Sequence, residues 1–326
     1  MTYRIDPELS PGVVQLSQFR FADYATLRAM EGGTPAQAPK YEPEVPVTVR
    51  DVLVPGLRNT PDVRVRVYTP AEQQGERPGL LYIHGGGFVL GSVALSDAHC
   101  LRIAERAGTT VVSVDYRRAP DDRFPAAVED CYAALVWTAE NATELAIDPR
   151  RLGIMGESAG GGLAAAVTLM ARDRGGPALC FQLLAAPEID DRLDTPSMRA
   201  YHDTPGWNRP SAELSWDLYL GEGLRGGDQV SAYAAPARVE NLSGLPPAFV
   251  TAGQFDPLRD EDINYAQRLA QAGVPTELRL YPGTFHGSHM VTEAAITQRM
   301  FSDQTEALRR GLRADTTHDE PRGNLA

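Results

Sequence analysis

The pentapeptide Gly156-Glu157-Ser158-Ala159-Gly160 stands between an apolar run, Leu152–Met155, and an alanine-rich run, Leu163–Ala171. A chain that leaves a strand and enters a helix within so few residues needs small neighbours at the corner. The arrangement predicts a strained turn that lifts the Ser158 side chain clear of the backbone. The free N–H groups and the dipole at the helix start would then face any negative charge that develops beside it. A glycine- and serine-rich helix cap has the same local pattern, so the context has to separate the two.

That context is a βα-repeating sheet. From about Val47 the chain alternates short apolar runs with longer amphipathic ones. Val47–Val54 and Val63–Tyr68 read as an antiparallel pair at one edge. Leu80–Ile83, Thr110–Val114, Leu152–Met155, Leu179–Ala185, Ala248–Thr251 and Glu277–Tyr281 read as compact buried strands. Helices are expected near Leu95–Ala107, Ala126–Ala139, Leu163–Ala171, Asn264–Ala272 and Thr297–Arg310, with a turn at Ile147–Arg150. Residues 1–44, with a helix over Val14–Met30 and a Pro/Gly-rich connector, and residues 188–243 do not fit the repeat. Both are longer than ordinary loops. The polar stretch 315–326 is expected to be a disordered tail.

Two further motifs fit the elbow. His84-Gly85-Gly86-Gly87 closes the strand Leu80–Ile83, and three glycines there leave backbone N–H groups unscreened. Gly86 and Gly87, together with Ala159, are the expected oxyanion donors. A base and an acid must follow Ser158 from the ends of later strands. His286 lies directly beyond Glu277–Tyr281 and is favoured as base over His289, which stands three residues further on. Asp256, in the loop after Ala248–Thr251, is favoured as acid. Asp260, Glu261 and Asp262 sit where a helix begins, where acidic residues have an ordinary explanation in the helix dipole. In that reading His286 takes the Ser158 proton while Asp256 holds the imidazole.

Composition removes competing classes. Lys40 is the one lysine in 326 residues, which argues against a P-loop, a Schiff-base lysine and a Ser-x-x-Lys hydrolase. A net charge of -12 without a basic run argues against nucleic acid or an anionic membrane as partner. The widely spaced Cys100, Cys131 and Cys180 read as reduced core residues of a cytoplasmic protein. No metal is expected, because the His286/His289 pair lacks further ligands.

Taken in order, His84–Gly87, Asp115-Tyr116-Arg117-Arg118-Ala119-Pro120 with Phe124-Pro125-Ala126, Gly156–Gly160, Asp256-Pro257-Leu258-Arg259-Asp260 and Phe285-His286-Gly287 resemble the hormone-sensitive-lipase-like esterases, the bacterial family IV group. Asp203-Thr204-Pro205-Gly206-Trp207-Asn208 is similar to the small bacterial acetyl-esterases within that group. The resemblance covers roughly residues 45–310, and Asp121-Asp122-Arg123 departs from it where relatives often carry Glu-His. It implies an α/β-hydrolase fold, with an eight-stranded mostly parallel sheet flanked by helices and a helical cap. The catalytic domain would span 45–187 and 244–314, and the cap would combine 1–44 with 188–243. Phe19, Phe21, Tyr24, Trp207 and Trp216 are its pocket candidates. The implied activity is cofactor-free hydrolysis of short-acyl, small-molecule esters. Lactones, carbamates and amides remain open to the same triad, as does a non-catalytic ligand-binding role on this fold. The resemblance also implies a homodimer through the edge strand Thr276–Tyr281.

Overall fold

The computed structural model describes residues 3–31, 40–57, 60–71 and 75–313. Residues 32–39 of the connector and the whole 315–326 tail lie outside the described residues. Eight strands form one sheet: β1 (Val47–Val54), β2 (Val63–Pro70), β3 (Arg77–Ile83), β4 (Thr110–Asp115), β5 (Ile147–Glu157), β6 (Phe181–Ala185), β7 (Ala248–Gly253) and β8 (Thr276–Tyr281). Their spatial order is β1-β2-β4-β3-β5-β6-β7-β8. β2 runs antiparallel to both β1 and β4, and every other pairing is parallel.

Strand alternation sorts the side chains to two covered faces. In β3, Leu81 and Ile83 join the larger core, while Leu80 and Tyr82 join the smaller one. The larger core packs α4 (Ala126–Glu140), α5 (Ala159–Asp173) and α8 (Arg259–Gln271) on one face. The smaller packs α3 (Asp97–Ala107) and α9 (Ala295–Gly311) on the other. All seven residues of β3 are buried, so truncating Leu81 to alanine would cost about 2–5 kcal/mol.

The chain leaves β3 for β4 on one side, then crosses back to β5 on the other. The loops after β3 and β5 therefore part company, and a crevice opens at the carboxyl ends of those two strands. β3 ends at Ile83 and β5 ends at Glu157, which places the triple-glycine loop and Ser158 side by side.

Three sequence expectations are corrected. The expected turn Ile147–Arg150 is the first part of β5, because Ile147 pairs with Arg77 before the register shifts towards Gly79. The expected helix Val14–Met30 is two helices, α1 (Ser10–Leu16) and α2 (Tyr24–Glu31), joined through a short 3-10 turn at Phe21–Asp23. Phe21 is buried at that break, so burial of one aromatic interrupts what the apolar spacing suggested. α8 starts at Arg259, five residues before Asn264, with Asp260, Glu261 and Asp262 in its first turn. The 188–243 segment carries α6 (Pro196–Ala200) and α7 (Arg209–Leu220), and no strand among its described residues.

Candidate active site

Ser158 occupies the corner between β5 and α5 with φ 54° and ψ -124°. Positive φ at a residue bearing a Cβ stores strain on the order of 1–3 kcal/mol, and three hydrogen bonds hold it. The Ser158 N–H donates to the Ala185 carbonyl at 2.9 Å, and the Ser158 carbonyl accepts from Gly162 and Glu188 N–H groups, each at 3.0 Å. The helix can start this close because Gly160 carries no side chain. A Cβ there would lie 2.2 Å from the Ile83 carbonyl oxygen.

His286 follows β8 and turns back over the sheet ends. Its Nε2 lies 2.8 Å from Ser158 Oγ, and its Nδ1 lies 2.6 Å from Asp256 Oδ2. The other carboxylate oxygen, Oδ1, accepts the Leu258 N–H at 2.9 Å. Asp256 is buried at 1% exposure, so its hydrogen bond to the ring is strengthened by the low local dielectric. A carboxylate at Nδ1 fixes the tautomer that leaves Nε2 free to accept the serine proton. The two loops also hold each other: Phe255 N–H donates to the Thr284 carbonyl at 2.8 Å, and Gly283 N–H to Gln254 Oε1 at 2.8 Å.

The loop after β3 lies against the elbow. Val89 and Leu90 N–H groups both close on the Gly86 carbonyl, at 3.1 and 2.8 Å. Gly86 and Gly87 have φ of 123° and 59°, a conformation L side chains rarely adopt. Among the described residues, the N–H groups of Gly86, Gly87 and Ala159 donate to no other protein group. His84 is buried beneath the loop and stacks on Tyr116 with centroids 4.3 Å apart.

His289 stands beside Glu157 instead of Ser158, its Nε2 4.0 Å from the carboxylate. The same Glu157 meets the Tyr82 hydroxyl at 3.2 Å and His99 at 3.6 Å. Burial alone would raise the Glu157 carboxyl, but His99 and His289 hold it below the usual range. A small cavity of about 50 Å³ under the histidine loop joins Glu157, Ser158, Asp256, His286, His289 and Gln304. Among the described residues no group of three or more His, Cys, Asp or Glu is placed to hold a metal ion.

The aromatic candidates divide. Phe21 and Trp207 cover the Gly87 side of the crevice: a Cβ on Gly87 would meet Trp207 Cη2 at 2.7 Å and Phe21 Cζ at 2.9 Å. The Trp207 ring also lies 5.8 Å from the His286 ring. Trp216 is instead fully buried and packs on Phe88 at 5.3 Å, a core contact behind the loop. Phe19 and Tyr24 are half-buried against the main core.

Sequence reasoning missed the residues that brace the loop. Glu31 at the end of α2 accepts the Gly91 N–H at 2.7 Å and pairs with Arg118 at 2.6 Å. Ser215 of α7 donates to the Gly87 carbonyl at 3.0 Å. No motif marks either residue, since their partners lie far away in the chain.

Residues 80–290 match a family model described as the alpha/beta hydrolase fold. Over 251 residues the chain is 41% identical to the carboxylesterase NlhH of Mycobacterium tuberculosis, covering 76% of this chain and 77% of that protein. It is 40% identical over 253 residues to the esterase LipI of the same organism, covering 77% and 76%. A solved structure titled bacterial heroin esterase superposes with a TM-score of 0.91 at 46% identity, covering 95% of this chain and 98% of that one.

Proposed function

The chain belongs to the hormone-sensitive-lipase-like group of the α/β-hydrolase-fold family, and from that membership we propose that it is a serine carboxylesterase acting on short-acyl esters through an acyl-enzyme on Ser158. The observation that carries the reading is the unbroken relay from Ser158 Oγ through His286 to Asp256, at 2.8 and 2.6 Å. His286 takes the hydroxyl proton as Ser158 Oγ attacks the ester carbonyl, and Asp256 stabilises the imidazolium. The Gly86, Gly87 and Ala159 N–H groups receive the oxyanion. Collapse expels the alcohol, which takes the proton from His286. Water then repeats the sequence on the acyl-enzyme and releases the acid.

The segments 1–44 and 188–243 act as a cap over this centre. Phe21 from one and Trp207 from the other meet above Gly87, which suits a small acyl group better than a long chain. The catalytic domain then comprises 45–187 and 244–314. The exposed side chains Leu278 and Leu280 on β8, a sheet edge, support a homodimer formed through Thr276–Tyr281. Size-exclusion chromatography with light scattering tests it, with Leu280→Glu expected to give monomer. Three unpaired cysteines support a cytoplasmic location.

The test is kcat/KM across p-nitrophenyl esters from acetyl to dodecanoyl, with an anilide and a lactone alongside. The reading expects a maximum at the short esters and loss of turnover in Ser158→Ala by roughly 10⁵–10⁶. Full activity in that variant removes Ser158 as nucleophile, and preference for the anilide or lactone replaces the ester as the bond cleaved.

A further inference from the structure

Glu157 ends β5 immediately before Ser158, and alternation along the strand turns its side chain with Met155 to the face of the smaller core. The triple-glycine loop continues on the other face, where Phe88, Val89 and Leu90 all join the larger core. On its own face the Glu157 carboxylate meets three side chains able to donate a hydrogen. The Tyr82 hydroxyl of β3 donates to Oε2 at 3.2 Å. His99 Nε2, from α3, lies 3.6 Å from Oε1 and has no hydrogen-bond partner among the described residues. His289 Nε2, three residues beyond His286, lies 4.0 Å from Oε2. The cavity of about 50 Å³ under the histidine loop carries Glu157, Ser158, His286 and His289 on its wall. The carboxylate and the His286 ring therefore border one space, with room for roughly one or two water molecules.

We propose that the Glu157 carboxylate is a second anionic partner of His286, a positioning residue that stabilises the imidazolium formed during acyl transfer. The proposal rests on the Ser158 reading above. Attack on the ester turns a neutral hydroxyl and a neutral imidazole into a pair of charges, an imidazolium beside Asp256 and an oxyanion at the loop. A fixed negative charge favours that state when it faces the cation and is turned away from the anion. The opposite placement of the Glu157 side chain and the triple-glycine loop provides that asymmetry, and the shared cavity provides the route to His286. The coupling is mutual. A charged His286 ring favours the Glu157 carboxylate, so the carboxylate favours the charged ring to the same extent. Tyr82, His99 and His289 hold the carboxylate in place, and little has to reorganise as charge develops. His289 thereby serves the base's partner without touching Ser158.

The experiment varies charge and shape separately at position 157, with kcat and KM measured on a water-soluble acetate ester at neutral pH. Glu157→Gln keeps the shape and loses the charge, and should lower kcat roughly tenfold while KM changes little. Glu157→Asp keeps the charge on a shorter stem and should recover most of that loss. Glu157→Asn, its neutral equal in shape, should not. A residue that only filled space would give the reverse order, because glutamine preserves the packing better than aspartate does. A folded neutral variant with wild-type kcat overturns the proposal, and so does a loss in Glu157→Asp as large as that in Glu157→Asn. If Glu157→Asp does not fold, kcat of Glu157→Gln decides alone. If neither neutral variant folds by circular dichroism, the carboxylate serves the fold and the proposal falls. Labelling with diethyl p-nitrophenyl phosphate separates the two readings, since attack on it forms the same imidazolium. Failure to label Ser158 in the wild type sinks the nucleophile assignment. A labelled wild type whose rate is unchanged in Glu157→Gln sinks only the role of Glu157.

Discussion

Phe21 of the amino-terminal segment and Trp207 of the 188–243 insertion meet edge to face, their ring centroids 5.0 Å apart and their planes at 75°. Two segments that break the βα repeat thus converge on one point above the triple-glycine loop. Such a pair contributes about 0.5–1.5 kcal/mol beyond its buried area, and it narrows the crevice on the Gly87 side. Trp207→Ala should therefore open room for longer acyl groups. The ratio of octanoyl to acetyl kcat/KM is expected to rise roughly tenfold. An unchanged chain-length profile would reduce the pair to packing alone.

Gly87 lies directly under those rings, so adding a single methyl group there is informative. Its φ of 59° disfavours any L side chain, and the new Cβ would press on Trp207 and Phe21 below 3 Å. Gly87→Ala should displace the loop's N–H groups and lower kcat by roughly 10²–10³, the scale of a lost oxyanion donor. Because the ground-state ester uses that donor little, KM should move far less. A large KM change at constant kcat would mean the loop binds substrate and does not stabilise the transition state.

Of the two ring nitrogens of His286, Asp256 meets the one that does not face Ser158. Replacing it with asparagine keeps the shape but offers Nδ1 an amide in place of the 2.6 Å carboxylate partner. The imidazole can then settle in the tautomer whose Nε2 carries the proton and cannot accept one from Ser158. Asp256→Asn should cost roughly 10⁴ in kcat with the fold retained. A loss under tenfold would transfer the orienting role to another group.

The relay was legible in the sequence because each of its members follows a strand whose apolar run is unmistakable. Ser158 follows β5, Asp256 follows β7 and His286 follows β8, so order along the chain was enough. The bracing residues were not legible. Glu31, Ser215 and Glu188 act on Gly91, Gly87 and Ser158 across contacts that only tertiary packing creates. Glu188 in particular looks like one acid in a run, Glu188-Ile189-Asp190-Asp191. Its complete burial follows from the close approach of α5, which the glycines permit but the local pattern does not announce. The helix expected over Val14–Met30 failed for a related reason: apolar spacing continued through Phe21, whose ring is drawn down onto Trp207. Trp216 was offered as a pocket residue on its type alone, and packing places it behind the loop.

His84 gives the fold a pH dependence of its own, separate from the chemistry. Burial first pushes its imidazole down to about 4, with the Gly85 carbonyl, Asp115 and Glu31 acting upward and Arg118 downward. An unfolded chain takes up that proton near the ordinary value of about 6.5, whereas the folded protein does so only near 4. The folded state therefore binds fewer protons between these limits, and stability must fall as the pH is lowered from about 6.5 towards 4. For a fully buried ring the loss is on the order of 3 kcal/mol at the lower end. His84→Gln removes the titration, so its urea midpoint should change less between pH 6.5 and 4 than that of wild type. Parallel pH profiles for the two proteins would show that carboxylates elsewhere, not the buried His84 ring, govern acid unfolding.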